Sequence, residues 1–129
     1  MRTLTPTTTI SEPVILLKPA RLHRPGMSAA ALYDITRGVW RVNGERARRA
    51  TLAFAVVNGA IVEVYTISGW HAANTTPYLS GRRDQSDPKY ADRFEFTGAS
   101  APSALKAKYL GLPVNHLFGR GQVVAYLNC

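Results

Sequence analysis

The sequence is poor in cysteine, in acidic residues and in long apolar runs, and each shortage argues against a class of function. Cys129 is its single cysteine. One thiol cannot form an intramolecular disulfide, so nothing points to the oxidising compartments where disulfides persist. Three histidines, His23, His71 and His116, are scattered along the chain. With one cysteine beside them they offer no pair at ligand spacing, and no metal site is expected. The longest apolar stretch, residues 52–57, is strand-length, and Asn58-Gly59 separates it from the short apolar run 60–62. A spanning helix needs about 20 apolar residues, so no membrane segment is expected. Residues 1–12 are threonine-rich and do not read as a signal peptide. The expected setting is cytoplasmic. Phosphate loops, dinucleotide fingerprints and nucleophile elbows do not occur either, and no cofactor is expected.

The acid shortage is matched by a basic excess. Sixteen lysines and arginines face eight acids, for a net charge of +8 over 129 residues. A chain of this size is one domain, and 46% hydrophobic residues are enough to bury a core without staples. Excess positive charge attracts polyanions through counterion release. The density is highest over residues 37–49, which hold Arg37, Arg41, Arg46, Arg48 and Arg49.

Local patterns order the chain. Residues 1–13, rich in Thr, Pro and Ser, read as a disordered lead to a single domain over 14–129. Residues 14–18 read as a strand ended by Pro19. Ser28 can cap a helix running to about Arg37, with Gly38 as its break. Asp34 and Arg37, three apart, can pair on that helix's surface. Asn43-Gly44 reads as a turn, followed by an arginine-rich connector, Glu45-Arg46-Ala47-Arg48-Arg49. Residues 51–57 and 60–68 form a hairpin, since Asn-Gly supplies the positive φ angles of a type I′ turn. A regular register from that turn sets Glu63 opposite Phe54. Residues 72–90 form a long polar loop. Residues 93–98 alternate as a strand, 101–110 form a short helix, and 123–127 form a last strand. The expected class is α+β: a small curved mixed or antiparallel sheet, or an open β-barrel, with two or three short helices.

Arginine forks match phosphate geometry. Trp40 and Trp70 offer faces on which bases stack, though the residue type at each position reads more readily as core. Glu63 and His71 can read a base edge by hydrogen bonding. Arg82 and Arg83 in the polar loop can close over a ligand, although nearby acids suit simple solvation. The candidate nucleic-acid-binding set is therefore Arg37, Trp40, Arg41, Arg46, Arg48, Arg49, Glu63, Trp70, His71, Arg82 and Arg83. No residue is assigned a catalytic role. A rival reading is a small hydrolase or nuclease using Glu63, Glu95 or His71, with Glu63 and Glu95 meeting across the sheet. A third is a basic protein-interaction domain.

The stretches Val14-Ile-Leu-Leu-Lys-Pro, Leu32-Tyr-Asp-Ile-Thr-Arg-Gly-Val-Trp-Arg and Ala53-Phe-Ala-Val-Val-Asn-Gly-Ala-Ile-Val-Glu-Val-Tyr-Thr-Ile-Ser-Gly-Trp resemble a group of small uncharacterised bacterial proteins. Arg93-Phe-Glu-Phe-Thr-Gly and Tyr126-Leu-Asn-Cys extend that likeness. The element order is similar to the PUA-like superfamily, which includes ASCH, EVE, YTH and SRA domains. The resemblance implies a small curved-sheet barrel that binds RNA or DNA and takes up a single, sometimes modified, base between aromatic walls.

Overall fold

A computed structural model describes residues 9–19, 23–73, 75–77 and 92–129. In chain order it contains β1 (Val14–Leu17), α1 (Ala29–Arg37), α2 (Gly44–Arg49), β2 (Leu52–Val57), β3 (Ala60–Ala72), β4 (Phe94–Ser100), α3 (Ser103–Tyr109) and β5 (Val124–Leu127). A short 3-10 turn, Asn115–Leu117, lies between α3 and β5. The strands form one mixed sheet in the order β4-β3-β2-β1-β5. Only β1 and β2 are parallel. Parallel neighbours need a long crossover, and here it carries α1 and α2. The expected α+β class is found, but the sheet stays open: β4 and β5 are its two edges and do not close a barrel.

The central strands explain their own composition. Val14, Ile15, Leu16 and Leu17 are all fully buried, because β1 is covered on both faces. One face packs Val14, Leu16, Leu52, Phe54, Val56, Ile61 and Val64 against Tyr109 and Val114. The other packs Ile15, Leu17, Ala53, Ala55, Tyr65 and Phe96 against Trp40 and Ala47. Each large side chain buried this way contributes roughly 1.5–3 kcal/mol. The small alanines of β2 let α2 approach closely. Among the described residues no helix is long and apolar enough to cross a membrane.

Two local expectations hold in detail. Ser28 caps α1, its hydroxyl accepting from the Ala31 N–H at 3.1 Å. Asn58 and Gly59 take φ angles of 53° and 80° in the hairpin turn. Others are corrected. The arginine connector is helical, because the Asn43 side chain accepts from the N–H groups of both Glu45 and Arg46 and so starts α2. The hairpin register slips between Ala55 and Val56, so Glu63 pairs with Ala55 and Phe54 with Val64. Val62 is the extra residue, 39% exposed. From there on β3 has swapped faces relative to a regular hairpin: Val64 joins the Phe54 side and Tyr65 the alanine side. The expected lead also shortens, since Ile10 packs against the core and the Pro13 carbonyl accepts from Thr51 N–H at 2.8 Å. Residues 1–8 lie outside the described residues.

The outer edge of β4 is sealed at every second residue. Trp40 and Phe94 exchange both backbone hydrogen bonds, at 2.9 and 2.8 Å. The Arg37 guanidinium donates to the Phe96 carbonyl at 3.2 Å. The Tyr33 hydroxyl accepts from Gly98 N–H at 2.9 Å and donates to Gly98 C=O at 3.0 Å. Unpaired edges template aggregation, and α1 with its following segment removes this one.

Burial also sets an alkaline limit. Desolvation, with the Glu63 charge adding to it, pushes the Tyr65 phenol well above its ordinary value. Burial, with the hydrogen bond to Glu12, raises that of Tyr109. Tyrosines in the unfolded chain ionise near pH 10, while these two hold their protons to higher pH when folded. Stability is therefore intact below about pH 10 and falls as pH rises beyond it. A phenolate absorbance titration should show both tyrosines ionising at higher pH in the folded chain than in the urea-unfolded chain. Ionisation of both at the unfolded chain's pH, with the far-ultraviolet circular dichroism signal intact, would contradict this.

Candidate nucleic-acid interface

The arginines that look alike in sequence divide into three environments. Arg37 is 1% exposed and lies beside Asp34 and Glu95, both fully buried. Its guanidinium is 3.8 Å from the Asp34 carboxylate and 3.9 Å from that of Glu95. It donates to Thr76 Oγ1 at 2.8 Å and to the Pro77 carbonyl. Thr76 in turn donates to Glu95 through its hydroxyl and, at 2.8 Å, its backbone N–H. Tyr33 lies under the guanidinium, 5.5 Å from ring centroid to Cζ. The expected surface pair of Asp34 and Arg37 is thus an interior one. A buried charge needs pairing and hydrogen bonds to be tolerable, and this network supplies both. Arg37 is not part of the exposed basic surface.

Trp40 leaves the candidate surface for the same reason. It is 9% exposed, packs in the alanine-side core, and donates its indole N–H to the Thr36 carbonyl at 2.7 Å. Its face is not open for stacking on a base.

Arg46 is half-buried. Its guanidinium lies 4.4 Å from the centre of the Tyr126 ring, and its Nε donates to the Cys129 carbonyl at 2.9 Å. It joins α2 to β5. Arg41 is exposed and meets Asp92 at 3.5 Å, an exposed pair that contributes little. Arg48 and Arg49 are exposed on α2, and among the described residues no carboxylate pairs with either. Ala47, between them and Arg46, is the buried anchor of the helix.

Beside α2 is a cleft of about 170 Å³, walled by Val42, Gly44, Ala47 and Arg48 on one side and by Trp70, His71, Ala72 and Phe94 on the other. It is smaller than the roughly 300 Å³ typical of drug-sized pockets. Trp70 packs edge-on to Phe96, ring centroids 5.4 Å apart. Its indole nitrogen is buried with no hydrogen-bond partner among the described residues, which is uncommon for such a donor. His71 shares a hydrogen bond of 3.0 Å with the Thr97 hydroxyl through Nε2. The run of β3 on to Ala72 is what carries Trp70 and His71, expected at the end of that strand, to α2.

The two glutamates of the hydrolase reading are not brought together. Glu63 reaches α3, where Lys106 meets it at 3.1 Å. Glu95 belongs to the Arg37 network at the opposite end of β3, in register with His71. Among the described residues no group of three His, Cys, Asp or Glu side chains could hold a metal. Arg82 and Arg83 lie outside the described residues. Sequence reasoning missed the Tyr33 seal, the Thr76 link and the Lys106 partner; none has a local signal, because each contact spans a long stretch of chain. The helical spacing of the α2 arginines did have one, in the Asn43 cap followed by Glu45 in the first turn. Searches of protein-family models, curated proteins and solved structures find no match to this chain.

Proposed function

We propose that the protein is a non-catalytic nucleic-acid-binding module whose contact surface is α2 and the cleft beside it. The observation that carries this reading is the pair Arg48 and Arg49, exposed on one short helix without carboxylate partners among the described residues. Arg41 and Arg46 precede them in the chain, and Arg48 and Trp70 share the cleft. Guanidinium forks at this surface would hold phosphates. An unpaired base, RNA or DNA, plain or modified, would lie toward Trp70. The reading keeps the PUA-like likeness as a proposal resting on sequence pattern, and the single cysteine suits a cytoplasmic setting. The hydrolase reading loses its carboxylate pair, since Glu63 and Glu95 are each engaged elsewhere.

Fluorescence anisotropy with single- and double-stranded DNA and RNA, at two salt concentrations, tests the proposal. Arg48→Ala with Arg49→Ala should weaken binding to all sequences about equally. Each lost phosphate contact should flatten the salt dependence of log K by roughly 0.7–0.9, so the pair should flatten it by about 1.5. Unchanged affinity and slope in the folded double variant would remove α2 from the interface.

A further inference from the structure

The two edges of the sheet are treated differently. β4 is sealed by Tyr33, Arg37 and Trp40, whereas among the described residues β5 has no comparable cover. Lys18 N–H donates to the Val123 carbonyl at 2.9 Å, which fixes the hydrogen-bonding phase of the β1–β5 ladder. With Leu16 opposite Ala125 and Val14 opposite Leu127, residues 123, 125 and 127 bond inward to β1. Val124 and Tyr126 therefore turn their N–H and C=O groups outward. Among the described residues nothing bonds to them.

The side chains of this edge do nothing to repel another strand. Residues 123–127 read Val-Val-Ala-Tyr-Leu, with no charge and no proline, the features that normally protect an edge. Val123 is 48% exposed. The segment is also complementary to itself. Set antiparallel against a second copy about Ala125, it pairs Val124 with the other chain's Tyr126 and Val123 with its Leu127. A β-branched residue opposite an aromatic one is a favourable cross-strand pair. Ala125 would meet its own copy at a position without hydrogen bonds, where backbones approach most closely and a small side chain is needed. The outward groups of Val124 and Tyr126 then form about four backbone hydrogen bonds across the dyad.

We propose that two copies of this chain associate through β5, in antiparallel register centred on Ala125, to give one continuous sheet. The dyad of an antiparallel pair is perpendicular to the sheet, so both α2 helices fall on the same face. Arg46, stacked on Tyr126, brings each α2 toward the join. The dimer would thus present two basic helices side by side to one polyanion. The association itself does not depend on the nucleic-acid reading. An edge this short lies below the roughly 1,200 Å² of a standard interface, so the dissociation constant should be micromolar or weaker.

Sedimentation velocity over a concentration series, combined with amide hydrogen exchange of the full chain, tests it. A reversible dimer is expected, with the Val124 and Tyr126 amides protected at high concentration and exposed on dilution. Val124→Pro removes one outward N–H and spares the inward ladder, and should abolish the dimer. Val123→Lys, which sets a charge opposite Leu127, should weaken it at least tenfold. Raising salt should strengthen dimerisation of a chain with net charge +8, while it weakens any nucleic-acid binding, so the two proposals fail separately. A monomer at every concentration overturns the dimer. So does a dimer in which the Val124 and Tyr126 amides exchange freely. If Val124→Pro does not fold, the exchange of those two amides in the unaltered chain still decides.

Discussion

Gly98→Ala is expected to destabilise the protein by more than about 4 kcal/mol, a loss reserved for a few severe mechanisms. A Cβ at this position would stand 1.9 Å from the Thr66 carbonyl oxygen and 3.0 Å from its carbon. Both are backbone atoms of the neighbouring strand, so neither can swing aside as a side chain would. The crowding arises where the β3–β4 register shifts between Ile67 and Gly69. Gly98 is also held from its other side by the Tyr33 hydroxyl, through both its N–H and its C=O. β4 therefore has no free direction in which to move. Against a total stability of about 5–15 kcal/mol for a typical domain, little would remain. Urea unfolding followed by circular dichroism is the measurement. Gly111 is the control: its φ is +84° but the space around it is open, so Gly111→Ala should cost only the left-handed backbone penalty of about 1–2 kcal/mol. Similar midpoints for the two variants would show that β4 can shift and that the close approach is not a constraint.

Arg37→Ala is expected to cost about 3–5 kcal/mol, the range for breaking a buried ion pair from one side. The substitution leaves Asp34 and Glu95 in the interior without the guanidinium between them. It also strips the Phe96 carbonyl and Thr76 of a donor. Arg37→Lys should rescue only part of this, because an ammonium lacks the planar fork that reaches Thr76, Pro77 and Phe96 together. Arg49→Ala on exposed α2 should by comparison change stability by less than about 0.5 kcal/mol. Paired unfolding and anisotropy measurements separate the roles of the two residues. If Arg37→Ala keeps its stability and instead loses nucleic-acid affinity, the buried network is not what Arg37 is for.

These two residues show what could be read from the chain and what could not. The hairpin was legible because Asn58-Gly59 encodes its turn within two residues, and Ser28 likewise announces α1 from one position. The bulge at Val62 was not. Val62, Glu63, Val64 and Tyr65 alternate acceptably in either phase, and only packing against Tyr109 on one side and Phe96 on the other selects the observed one. Arg37 and Arg48 have the same chemistry in sequence; they differ because Glu95 and Thr76, far along the chain, return to one of them. The six-residue α2 is too short to persist as an isolated helix, so its existence depends on docking Ala47, a tertiary event. What the sequence did convey about the candidate site was its arginine density and the proximity of Trp70. Which of the arginines face outward was decided by the fold.

The seal on β4 has a consequence for how the chain behaves while it is being made. Its three plugs, Tyr33, Arg37 and Trp40, all precede the strand they cover, by 65 residues for Tyr33 and Gly98 and 59 for Arg37 and Phe96. On a ribosome they emerge first, so β4 meets its cover as it appears and need not wait for it. A nascent chain is most adhesive when a strand is out and its neighbours are not. Here the order of the genetic message itself shortens that interval, and damage to α1 would be felt as clumping during synthesis before it was felt as loss of melting temperature.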